Sequence, residues 1–289
     1  MTTAITGTTR LTAVLGSPIA HSISPQMHNE SFRLLGLDYA YLAFEIDTTT
    51  LPAAVEALKV LHARGYNLTM PNKNLMCSLC DHLSPAARII GAVNTVVDDD
   101  GILTGHTTDG TGYMMSVKDA GFDIIGKKMT LFGAGGAATS IMVQAALDGV
   151  SEISVFCRPQ SRFLTRTQKI ISDLNEQTKC KVQLFFYDDA RLKKELSESH
   201  ILTNATSVGM EPNPGDSLIT DPSMFHPDLI VSDIIYHPAK TRLMQLAETA
   251  ECPTFNGLYM LLYQGAEAFR LWTGLPMPVK EIKEKYFSR

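Results

Sequence analysis

At 289 residues the chain is long enough for two domains, each with a core of its own. With 45% hydrophobic and 19% charged residues it is globular rather than disordered or fibrous, and a net charge of −5 with scattered Lys and Arg leaves no basic footprint for nucleic acid. No uninterrupted apolar run of about 18 residues occurs, and the first residues lack a basic start followed by an apolar run, so the expectation is no membrane span, no signal peptide and a cytoplasmic location.

In chain order, LTAVLG (11–16) reads as a strand, and Ser24-Pro25 as a helix start, with Ser24 as N-cap, Pro25 at the first helical position and Gly36 as the stop. YAYLAFEI (39–46), NLTM (67–70) and AVNTVV (92–97) read as further strands separated by helical patterns. Cys77 and Cys80 form a C-x-x-C without a second pair at zinc spacing; they read as small buried side chains, and no metal is expected. LTGHTTDGTGY (103–113) leads from a strand-like run into a connecting helix that closes at Gly121, with a domain boundary near residues 110–126.

The second half repeats the rhythm with KKMTLFG (127–133), EISVFCR (152–158), KVQLFFY (181–187), ILTNAT (201–206) and LIVSDIIY (229–236). Strand, helix, strand at this spacing implies parallel sheets with right-handed crossovers in two successive α/β units. From NGLYMLLYQGAEAFRLWTG onward the chain is helical again and returns to the first domain. The expected fold is a two-domain α/β protein. An N-terminal α/β substrate domain with a parallel-rich sheet spans 1–112 joined by 258–289, and a Rossmann-like dinucleotide-binding domain spans 113–257.

The second domain owes that description to GAGGAA, Gly133 to Ala138, which follows a strand and opens a helix as a dinucleotide fingerprint requires. Gly133 makes the tight turn, Gly135 admits the pyrophosphate, and Ala138 allows close helix-on-strand packing. After the next strand comes CRPQSR, where Arg158 and Arg162 stand without the carboxylate that would take the ribose 2′-hydroxyl of NAD, so local charge favours NADP. Hydride transfer at a carbinol carbon also needs a proton carrier. Lys73, isolated in NLTMPNKNLM, and Asp109 supply one as a pair; singly they read as a surface lysine and a helix N-cap.

Together these stretches resemble the shikimate dehydrogenase family, closest to its quinate/shikimate branch. The likeness rests on HSISP (21–25), NLTMPNK (67–73), GAVNT (91–95), TDGTG (108–112), GAGGA (133–137), NATSVGM (204–210), YHPAKT (236–241) and MLLYQGA (260–266). It implies reversible oxidation of the C3 hydroxyl of shikimate, or the equivalent hydroxyl of quinate, with NADP or NAD, in aromatic amino acid biosynthesis or quinate use. By the same resemblance Lys73 and Asp109 are the catalytic pair, and Ser22, Ser24 and Tyr236 hold the substrate carboxylate. Asn67, Thr69, Asn94, Thr108 and Gln264 face the ring hydroxyls, and Tyr41 matches a tyrosine that the quinate-using branch places near the substrate. Gly133, Ala134, Gly135, Gly136, Ala137 and Arg158 hold the cofactor, with Thr206, Met210 and Gly257 on its nicotinamide side. Thr107 departs from the Asn usual in the family. The implied partner is a small molecule, with a homodimer left open; the rival readings are an enzyme for an amino analogue of shikimate and a non-catalytic NAD(P)-binding sensor.

Overall fold

A computed structural model describes residues 5–287. The chain divides into two compact units: one runs to Thr108 and resumes at Leu262, and the other spans Asp109–Leu261.

The first unit carries a six-stranded sheet in the order β2-β1-β3-β5-β6-β4. Its strands are β1 (Arg10–Gly16), β2 (Tyr39–Glu45), β3 (Gly65–Leu68), β4 (His82–Leu83), β5 (Thr95–Asp99) and β6 (Ile102–His106), with helices α1 (Ser24–Leu35), α2 (Leu51–Val60) and α3 (Pro85–Ile90) between them. β1, β2 and β3 are parallel, as the spacing implies, but β5 runs antiparallel to both β3 and β6. The tight hairpin at Asp100-Gly101, both residues at positive φ (55° and 89°), sets the second of these pairings, because the chain turns back there instead of crossing over through a helix. The core is built from Leu15, Leu51, Val55, Tyr66, Leu68, Met76, Val96 and their neighbours.

α1 ends at Gly36 as expected, but Ser24 does not cap it: the N-cap position is Ile23 and no side chain caps the helix. The Ser24 hydroxyl is therefore not spent on the helix start. Helix α9 (Leu258–Thr273) begins in the second unit and ends in the first, where the Trp272 indole N–H donates to Val96 O at 2.9 Å and Arg64 Nε donates to Trp272 O at 2.8 Å. α10 (Val279–Ile282) follows.

In the second unit β7 (Lys128–Phe132), β8 (Glu152–Cys157), β9 (Lys181–Phe186), β10 (Ile201–Asn204), β11 (Ile230–Asp233) and β12 (Thr254–Asn256) form a sheet in the order β12-β11-β10-β7-β8-β9. Every neighbouring pair is parallel. This is the doubly wound dinucleotide-binding order, whose switch point lies between β7 and β10. α4 (Asp109–Asp119), α5 (Gly136–Asp148), α6 (Leu164–Gln177), α7 (Asp189–Ser197) and α8 (Arg242–Thr249) complete it.

Candidate active site

In the first unit the residues singled out by sequence are joined by hydrogen bonds. Leu68 N–H donates to Asn94 O and Val93 N–H to Lys73 O, both at 2.8 Å, which ties the loop carrying Thr69 and Lys73 to the GAVNT segment. The Tyr41 hydroxyl donates to Asn67 Oδ1 at 2.7 Å. Asn67 Nδ2 donates to Asn94 O (3.1 Å) and Thr95 Oγ1 (2.9 Å), so both of its amide protons are used. Asn94 Nδ2 donates to Thr108 Oγ1 at 3.0 Å while its Oδ1 accepts Thr108 N–H at 2.8 Å, and the Thr95 and Thr108 hydroxyls meet at 3.2 Å. What remains for a ligand at Asn67 is the second lone pair of Oδ1, an acceptor suited to a hydroxyl.

Thr95 was not singled out, although it stands inside GAVNT; its importance appears only when the two asparagines are seen on either side of it. Tyr41 is fully buried and its hydroxyl is given to Asn67. Burial drives its phenol well above the ordinary value, opposed by a Ser24 hydrogen bond. Ser22 and Ser24 are half-buried, with Ser24 N–H donating to Ser22 Oγ at 3.3 Å. Thr69, Lys73 and Gln264 are half-buried as well. Asp109 is the first residue of α4, inside its first turn rather than before it.

On the second unit Gly133 follows β7 at φ +114°, and a Cβ there would lie 2.7 Å from Ala205 O. The same Cβ would lie 3.3 Å from Ala138, the close helix-on-strand contact expected of a small residue at that position. Gly135 is the N-cap of α5 and offers no side-chain acceptor to the helix amides, while a Cβ on Gly136 would meet nothing within 4 Å. Gly133, Ala134, Gly135, Gly136 and Ala137 thus form a turn whose amides and open space suit a pyrophosphate at a helix N-terminus. Arg158 and Arg162 are exposed after β8, with the Arg162 guanidinium 4.7 Å from the Phe163 ring centroid. Thr206 is half-buried, Met210 and Tyr236 are exposed, and Gly257 packs so tightly on Ile234 that no side chain fits there.

Among the described residues no three His, Cys, Asp or Glu side chains gather to hold a metal ion, and no helix is long and apolar enough to cross a membrane. Cys77 and Cys80 are half-buried rather than buried, and burial pushes the Cys80 thiol up to about 12, which keeps it protonated.

Residues 14–96 match the model of the shikimate dehydrogenase substrate binding domain, and residues 257–285 match that of the shikimate 5′-dehydrogenase C-terminal domain. Over 288 residues, 99% of each sequence, the chain is 54% identical to the shikimate dehydrogenase (NADP(+)) of Listeria monocytogenes serotype 4b (strain F2365). The crystal structure of shikimate 5-dehydrogenase from Listeria monocytogenes in complex with shikimate and NAD matches with a TM-score of 0.95 at 54% identity, covering 98% of both chains. A quinate dehydrogenase from Corynebacterium glutamicum in complex with NAD matches with a TM-score of 0.83 at 27% identity, over 97% of this chain and 99% of that one. Identity at the first of these levels, across nearly all of both chains, means that this protein belongs to the shikimate dehydrogenase family of NAD(P)-dependent oxidoreductases.

Proposed function

We propose that this protein is a shikimate dehydrogenase that reversibly oxidises the C3 hydroxyl of shikimate to the ketone of 3-dehydroshikimate, with quinate accepted at its equivalent hydroxyl. The observation that carries the reading is the buried lattice Tyr41–Asn67–Thr95–Thr108–Asn94, which fixes two amides and a hydroxyl within the chain that runs directly into Asp109. A cluster so fully committed internally leaves a few defined acceptor and donor positions, and a polyol ring is the ligand class that reads such a pattern.

In this reading Ser22, Ser24 and Tyr236 grip the carboxylate through hydroxyls. Asn67, Thr69, Asn94, Thr108 and Gln264 bond the ring hydroxyls and orient the carbon to be oxidised. Lys73 and Asp109 receive the proton of that hydroxyl as it becomes a carbonyl and return it in the reverse direction. The dinucleotide, held by Gly133, Ala134, Gly135, Gly136, Ala137 and Arg158 with Thr206, Met210 and Gly257 beside its nicotinamide, supplies the hydride acceptor. Arg158 and Arg162, with no carboxylate in their loop, favour NADP over NAD. The reading extends to a cytoplasmic enzyme acting on a small molecule.

The test is reduction of the dinucleotide followed by absorbance, with shikimate and quinate each crossed against NADP+ and NAD+. Turnover is expected with shikimate in both cofactor series, faster with NADP+. Folded protein that binds dinucleotide and turns over neither acid would overturn the substrate assignment.

A further inference from the structure

At the carboxyl ends of β10 and β11, Asn204 and Asp233 occupy paired register positions, and each is almost completely buried. Asp233 brings a carboxyl group into the largely apolar run from Ile230 to Ile235, whose other polar residue is Ser232, and burial pushes that carboxyl up to about 6. A buried carboxyl is costly and its hydrogen bonds must offset the cost.

Those bonds lead to two loops. Asp233 accepts Asn204 Nδ2 on both oxygens at 3.1 Å, Ile235 N–H on Oδ1 at 3.0 Å and the Thr241 hydroxyl on Oδ2 at 2.8 Å. Asn204 in turn accepts the N–H and the hydroxyl of Thr206 on Oδ1, at 3.1 and 2.7 Å, and donates to Val208 O at 3.2 Å. The loop after β10 and the loop after β11 are thus joined through two side chains. In doubly wound sheets ligands bind outside the carboxyl ends of the strands. These two loops carry Thr206, Met210 and Tyr236.

We propose that Asp233 is a positioning residue that clamps the loops after β10 and β11 together, setting where Thr206 and Met210 meet the dinucleotide and where Tyr236 meets the substrate carboxylate. The proposal rests on the shikimate dehydrogenase reading of the site. A carboxylate suits the task because it is acceptor-only: it takes donors from an amide, a backbone N–H and a hydroxyl at once, whereas an asparagine in its place would turn a donor toward Asn204 or Thr241. Asp233 is almost completely buried with its oxygens bonded to donors of the protein, so its effect falls on binding geometry rather than on proton transfer.

The experiment compares steady-state kinetics and thermal unfolding of the wild type, Asp233→Asn, Thr241→Val and Thr241→Ser, with NADP+ affinity also read by calorimetry without substrate. Asp233→Asn is expected to raise the KM for shikimate and for NADP+ on the order of tenfold or more, with a smaller fall in kcat. Thr241→Val removes the far end of the clamp and is expected to raise the KM for shikimate, and Thr241→Ser, which keeps the hydroxyl, to restore it. A folded Asp233→Asn protein with a lowered melting temperature and unchanged KM values would overturn the proposal, because a merely structural carboxyl behaves that way. Should Asp233→Asn not fold, the threonine pair decides: no KM change in Thr241→Val, or a change that Thr241→Ser fails to reverse, overturns it. A wild type that binds NADP+ but does not oxidise shikimate overturns the functional reading instead, and the clamp is then tested on NADP+ affinity in the same variants, where no weakening in Asp233→Asn overturns it.

Discussion

The imidazole of His28 lies flat on the phenol ring of Tyr41, with ring centroids 4.4 Å apart and planes 7° from parallel. The same phenol donates to Asn67 Oδ1, so a helix residue with no expected role sets the ring that sets a candidate substrate amide. Trp272 at 5.2 Å, Phe269 at 6.2 Å and Phe32 at 6.3 Å close the aromatic box around the imidazole.

Tyr41→Phe keeps the stack and removes the hydrogen bonds of the phenol to Asn67 and Ser24. One such bond is worth about 1 kcal/mol, so the KM for shikimate should rise about fivefold while kcat changes little. An unchanged KM would show that Asn67 holds its orientation through Asn94 and Thr95 alone.

The imidazole also fixes a pH dependence of stability. Neither of its nitrogens has a partner among the described residues, and burial lowers its pKa to about 3 from 6.5. Between those values the unfolded chain binds the extra proton, so the contribution is whole above pH 6.5 and is lost as pH falls toward 3. The full effect is on the order of a few kcal/mol. Urea unfolding of the wild type and of His28→Phe at neutral and mildly acid pH should show a shallower acid decline in the variant; equal declines would assign the slope to other groups.

Lys73→Ala should reduce kcat for shikimate on the order of a hundredfold or more and leave NADP+ binding in place. Turnover at the wild-type rate would remove Lys73 from the proton path.

Two glycines of the nucleotide turn should fail differently. Alanine at Gly133 is forced to φ +114° against Ala205 O, so both melting temperature and dinucleotide binding should fall. At Gly135, φ −77° is open to any residue and the added methyl meets only Phe163, at 4.0 Å. Gly135→Ala should therefore fold normally and lose affinity for NADP+ on the order of tenfold. If it binds NADP+ as the wild type does, the pyrophosphate lies elsewhere.

Arg158→Ala should raise the KM for NADP+ and leave that for NAD+ unchanged, because only the former carries the 2′-phosphate that a guanidinium recognises. Equal changes for both dinucleotides would place Arg158 against a group that they share.

Much of this architecture is legible in the chain. Strands recur at nearly every quoted apolar run, and the turn from β7 into α5 follows from Gly133 and its neighbours. The reversal of β5 was less so: Asp100-Gly101 is a hairpin signal, but it lay between runs read as members of a parallel rhythm. Ser24 illustrates a different limit, since Ser-Pro fits a helix start whether the serine caps it or stands one residue inside. His28 and Thr95 gave no local sign, because a stack and a shared hydroxyl depend on strands far apart in sequence. Asp233 did leave a trace, a lone carboxylate in the run LIVSDIIY, and only its partners reveal its purpose.

The path of α9 bears on the order in which the molecule can be made. Asp109–Leu261 is contiguous in sequence, whereas the other unit is assembled from both sides of it. In that other unit the β3–β5 region accepts Trp272, which bonds Val96 and Arg64 and packs on Gly65. The unit whose strands are encoded first therefore cannot complete its packing until Trp272 is present. A stop codon shortly before Trp272 would disable the end of the protein that was translated earliest.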